Sequence, residues 1–125
     1  MKANELKTEE YVPYYDRYIK KLDEHTELIN GFTEGGKNTL SFFNALPDSK
    51  HDFRYAPGKW SIKEVLQHLI DTERIFSHRC FRIARRDTTP LAGFDQRIYI
   101  EPSAAKQKPL EQLLEEYRTG RTATI

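Results

Sequence analysis

Apolar positions recur at helical spacing in four stretches of the chain, and polar runs mark the joints between them. The first is YVPYYDRYIKKL, residues 11–22. There Tyr11, Tyr14, Tyr15, Tyr18, Ile19 and Leu22 recur at helical spacing, and Pro13 suits an opening helical turn. It predicts a helix whose aromatic rings pack on the rest of the domain. The second runs from His25 through Leu28, Ile29, Phe32, Leu40 and Phe43 to Leu46, ahead of Pro47. Gly35-Gly36 sits in its middle, where two glycines cost a helix up to about 2 kcal/mol relative to alanine. The pair implies either a loosened helix or a second helix in close approach.

Residues 47–60, PDSKHDFRYAPGKW, are rich in turn formers and read as a loop. The third pattern then opens with the clearest start signal in the chain. Ser61 and Glu64 form an S-x-x-E capping box, with Trp60 and Val65 at the spacing of a hydrophobic staple. This helix is expected to run to about Arg86, where DTTP stops it. Residues 87–108 carry Pro90, Gly93 and Pro102 and read as a long irregular connection, docked by Phe94, Ile98, Tyr99 and Ile100. A last helix begins near Leu110 and places Leu110, Leu113, Leu114 and Tyr117 on one side. Residues 1–10 form a polar arm. With no strand-length alternation and no internal repeat, the fold class is all-α.

Projected at about 100° per residue, Ile62, Val65, Leu69, Phe76, Cys80 and Ile83 fall within a sector roughly 60° wide. That stripe is the expected buried face of the third helix. Along its flank run His68, Thr72 and Arg79, and Glu73 lies between the stripe and Leu66 on the other side. The polar seam has two readings. It lines a cavity, or His68 is half-buried with one hydrogen bond while Thr72 bonds back to the helix and Arg79 snorkels to solvent. Pattern alone favours the second, because a metal site needs three or more ligands and one histidine does not supply them.

Composition narrows the classes further. Lys and Arg total 20 against 19 for Asp and Glu in 125 residues, which argues against a dedicated nucleic-acid binder. The local run Arg79, Arg82, Arg85, Arg86 suits a helix C-terminus. Cys80 is the single cysteine, so no intramolecular disulfide forms, and its place on the apolar stripe suits a small core residue. No apolar run is long enough to span a bilayer and no signal peptide is visible, so no membrane partner and a cytoplasmic location are expected. His25, His51 and His78 show no i, i+4 pairing with one another or with His68. No nucleophile elbow, phosphate loop, CxxC pair or Rossmann glycine fingerprint is present.

The segment KWSIKEVLQHLIDTERIFSHRCFRIARRDTTPLAGFDQRIYI, residues 59–100, closely resembles the signature region of the DinB-like family. Its YAPGKWS opening, its HLIDTER helix and its R-x-A-R-x-D-x-T-P-L-x-G-F-D stretch are loose singly and specific in this order. The resemblance implies a four-helix bundle with a long connection between its second and third helices. It also implies a divalent metal, zinc or nickel, held by one histidine on the second helix and two on the fourth. His68 matches the second-helix ligand, and Thr72, Glu73 and Arg79 become candidate pocket or supporting residues. Related proteins include thiol-dependent transferases and isomerases, which implies a small-molecule or thiol substrate and no DNA binding. No fourth helix and neither of its histidines is found in this chain. The sequence therefore implies a fragment, a lost site, or a bundle completed by a second copy, with self-association as a homodimer through the uncovered face. The rival expectation is a non-catalytic bundle acting as an interaction or stress-response protein, with His68 structural.

Overall fold

The helix with the strongest start signal is also the longest one formed. In the computed structural model, which describes residues 1–125, the α-helices are α1 (Asp16–Ile19), α2 (Leu28–Asn44), α3 (Ile62–Ala84), α4 (Arg97–Ile100) and α5 (Leu110–Thr124). At the start of α3 the Glu64 N–H donates to Ser61 Oγ at 3.3 Å, and the Ser61 N–H donates to the Glu64 carboxylate at 2.7 Å. Both halves of the capping box are therefore made. Arg54 joins the same carboxylate at 2.7 Å. Burial alone would raise the Glu64 carboxyl, but the Arg54 guanidinium and the Ser61 N–H outweigh it and hold it below its ordinary value.

The far end of α3 closes with equal definition. Arg86 takes a left-handed φ of 57°. Around it the Asp87 N–H donates to the Arg82 carbonyl at 3.0 Å and the Arg86 N–H to the Ile83 carbonyl at 2.9 Å, a Schellman pattern with arginine where glycine is usual. The Arg82 side chain then grips the Asp87 carboxylate at 2.7 Å. The DTTP stop is thus enforced by both backbone and side chain.

The core is built around α5, which packs against both α3 and α2. Leu110, Leu113, Leu114 and Tyr117 meet Leu66 and Ile70 of α3 and Phe43 of α2, all buried. The Gly35-Gly36 question resolves as close approach: a Cβ on Gly36 would stand 3.0 Å from the Arg121 Cγ of α5, while Gly35 faces open space. Two polar residues of α3 are buried because the connection satisfies them. Lys63 Nζ donates to the carbonyls of Lys106 and Lys108 and pairs with Asp52, and the Gln67 amide accepts from Lys108 and donates to Asp71.

Four expectations are corrected. The stripe expected to be buried on α3 is largely open: Val65, Phe76 and Ile83 are 39%, 43% and 65% exposed, and Cys80 is exposed too. The helix turns its neighbouring sector, Leu66, Gln67 and Ile70, to α5 instead, and of the stripe only Ile62 and Leu69 pack, partly buried, against the core. The 11–22 segment forms only one helical turn at Pro13–Tyr15 and the four-residue α1, with Tyr14, Tyr15 and Tyr18 on the surface. Its rings meet one another edge-on or at a tilt, with Arg17 over Tyr14 and Tyr18, rather than packing on the core, since so short a helix has no partner face. Helix α2 is shorter than the expected 25–46. The connection 87–108 contains α4 and a turn at Ala105–Gln107, docked by the buried Ile100 while Ile98 points outward. The polar arm forms two single turns, Ala3–Glu5 and Thr8–Glu10, and bonds back to residues 24–28 through its backbone. No helix is long and apolar enough to cross a membrane.

Candidate functional site

His68 sits in the second turn of α3, half-buried, on the flank of the open stripe. Its position follows from the cap: Ser61 fixes where the helix starts, and seven residues later the ring comes round beside the loop that delivered the chain. The Trp60 ring lies against it, with centroids 5.0 Å apart and planes at 43°. One turn further on, the Thr72 hydroxyl is 3.3 Å from His68 Nδ1. In the tautomer whose Nδ1–H donates to that hydroxyl, the Nε2 lone pair is free. Burial lowers the imidazole's pKa by penalising the charged form, against a smaller opposing pull from Asp71. The ring is therefore held neutral and oriented, which is the state a metal ligand needs.

The other three candidates are dispersed. Thr72 is the one in contact with His68. Glu73 lies five residues along, about 140° round the helix, and faces α5. There it pairs with Arg121 Nη2 at 2.8 Å, its second oxygen buried without a partner. Arg79 is eleven residues along, a rise of about 16 Å, and belongs to the connection. Its Nη2 donates to the Ala92 carbonyl at 2.7 Å, and its guanidinium lies between the rings of Phe76 and Phe94 at 5.4 and 5.3 Å.

No group of three His, Cys, Asp or Glu side chains capable of holding a metal ion is assembled. His68 has the chemistry of a ligand, but the residues beside it, an indole and a hydroxyl, do not complete a coordination sphere. The residues of this chain therefore do not fit a resident metal by themselves. A second polar centre escaped the sequence reading: Arg121, Glu73, Tyr117 and Phe32 meet where α2, α3 and α5 converge. Arg121 stands in the unremarkable tail RTGRTATI, and no local spacing signals a partner 48 positions earlier on another helix.

The all-α architecture, the long connection after the second long helix, and a lone oriented histidine on that helix define a helical-bundle protein with a half-built polar site. A family model for the DinB superfamily matches residues 32–125. The chain belongs to the DinB superfamily. No curated protein and no solved structure matches it.

Proposed function

We propose that the protein is a divalent-metal-dependent enzyme of the thiol-dependent transferase or hydrolase type, acting on a small-molecule or thiol substrate in the cytoplasm. In this reading His68 is one ligand to zinc or nickel, and the remaining ligands come from outside residues 1–125. The observation that carries it is the state of His68: neutral, braced by Trp60 and Thr72, and next to an apolar stripe whose Val65, Phe76, Cys80 and Ile83 stand exposed. An element laid on that stripe would bring its side chains beside Nε2. The same uncovered stripe supports self-association, with a homodimer as the simplest form.

The test is metal content. Protein made from the full reading frame is compared with its His68→Ala variant by plasma mass spectrometry, with circular dichroism as the control for folding. One equivalent of zinc or nickel in the parent, lost from a folded variant, is the expected result. Equal metal in both would remove His68 from the ligand set.

One observation favours a second reading, a non-catalytic interaction bundle. The Trp60 contact and the Thr72 hydrogen bond suffice to give His68 a structural role. Under that reading the full-length protein carries no stoichiometric metal, and His68→Ala lowers the melting temperature.

A further inference from the structure

The last turns of α3 and the connection that follows form an open cleft with no acidic side chain in its lining. Arg74, Ile75, His78, Arg79 and Arg82 make the helix wall, at positions that share one side of α3. The segment from Leu91 to Phe94, together with Tyr99, makes the other wall. There the Phe94 and Tyr99 rings stack, with centroids 6.0 Å apart and planes at 15°.

The three arginines are used differently. Arg82 pairs with the Asp87 carboxylate and donates to the Thr89 carbonyl, both at 2.7 Å. Arg74 meets Asp71 at 3.7 Å and Glu116 at 3.3 Å. Arg79 has no carboxylate partner, and its one polar contact runs from Nη2 to the Ala92 carbonyl. Its Nε and Nη1 bond nothing in the chain and are not sealed from solvent. Ala92 accepts one of the two Nη2 hydrogens, so the other still makes a two-pronged donor with Nε or with Nη1. The flanking rings of Phe76 and Phe94 and the Ala92 bond together fix the plane of that donor.

We propose that this cleft binds a small organic monoanion, a carboxylate on an apolar body, with the carboxylate on Arg79 and the body against Leu91 and Tyr99. The group follows from the fork, which matches the two oxygens of a carboxylate. The charge follows from the pairing. Asp87 balances Arg82 and two carboxylates share Arg74, so Arg79 is the one guanidinium of the cleft still without a counter-ion. The apolar body follows from the wall, where Leu91 and Tyr99 are 43% and 38% exposed and gain from being covered. The site uses neither a metal nor His68.

Benzoate, benzyl alcohol and phenyl phosphate share a ring and differ in charge. Each is titrated into the intact chain and followed by NMR at the Leu91, Phe94 and Tyr99 side chains, at pH 8, where an ordinary imidazole is neutral. Benzoate is expected to shift all three and to bind about tenfold or more tighter than benzyl alcohol, the margin of hydrogen bonds to a charged donor. Phenyl phosphate binds no tighter than benzoate. Arg79→Gln removes the advantage of benzoate over the alcohol. Because Arg79 also tethers the connection, a second variant is needed: Leu91→Glu puts a carboxylate on the wall at an exposed position and abolishes benzoate binding. Arg85→Gln deletes a cation of the same run outside the cleft and leaves benzoate affinity unchanged. Benzyl alcohol equal to benzoate, or benzoate binding undiminished in Leu91→Glu, would overturn the proposal. Phenyl phosphate tighter than benzoate would replace it with a phosphate site, and equal losses in Arg79→Gln and Arg85→Gln with the general field of the helix end. Silence of the three side chains with every probe would leave no site at all.

Discussion

At His68 two neighbours act on one ring from different directions. Trp60 sets its plane and Thr72 occupies Nδ1, while partial burial disfavours the imidazolium. The pH consequence has a definite sign. Unfolded, the imidazole titrates near its ordinary ~6.5; folded, it titrates lower, so between the two values the unfolded chain binds the extra proton. Stability from this group is therefore fully present above about pH 6.5 and is lost as pH falls through the folded value. Denaturant titrations between pH 7.5 and 5 are expected to show that decline, and His68→Gln to flatten part of it. An unchanged slope in the variant would mean the ring is not burdened by burial. The residue itself was legible as a candidate from its place beside the apolar stripe. Its brace was not, because Trp60 reads equally well as one half of a hydrophobic staple.

The α2–α5 crossing turns on two adjacent glycines with different surroundings. Gly35 faces open space, whereas a Cβ at Gly36 meets Arg121 at 3.0 Å. Gly35→Ala is expected to stabilise the protein by about 0.5–1 kcal/mol, the helix-interior difference between the two residues. Gly36→Val adds branched bulk against α5 and is expected to cost about 1–3 kcal/mol through overpacking. Urea unfolding of the pair reads the contrast directly; equal effects would show that the crossing is not set by contact at Gly36. Elements were legible where their signals are local. Ser61 and Glu64 cap α3 from three residues apart, and Leu110, Leu113, Leu114 and Tyr117 mark the buried side of α5. Which sector of α3 is covered was not legible. It depends on Lys63 and Gln67 finding partners at 106–108, some forty positions away. Periodicity locates an apolar stripe, but only packing decides whether a neighbour comes to cover it. The Tyr11–Leu22 pattern failed for a related reason: helical spacing in an isolated short segment does not overcome the cost of nucleation.

For the molecule as a whole, the dominant surface feature is the row Val65, Phe76, Cys80 and Ile83, an apolar band on a chain whose charges nearly balance. Low net charge offers little repulsion to oppose contact between such bands. Sedimentation velocity is expected to show concentration-dependent association, and Phe76→Glu combined with Ile83→Glu to restore a monomer. A monomer at all concentrations in the parent would mean the band is too narrow to hold a second copy. The folded-back arm has a different consequence. The amides of Ala3, Asn4 and Leu28 are the clasps that tie the arm to residues 24–28, so they should open together and exchange with solvent as one local unit, well ahead of the core. The arm then acts as a latch that lifts and re-engages while the bundle beneath it stays folded.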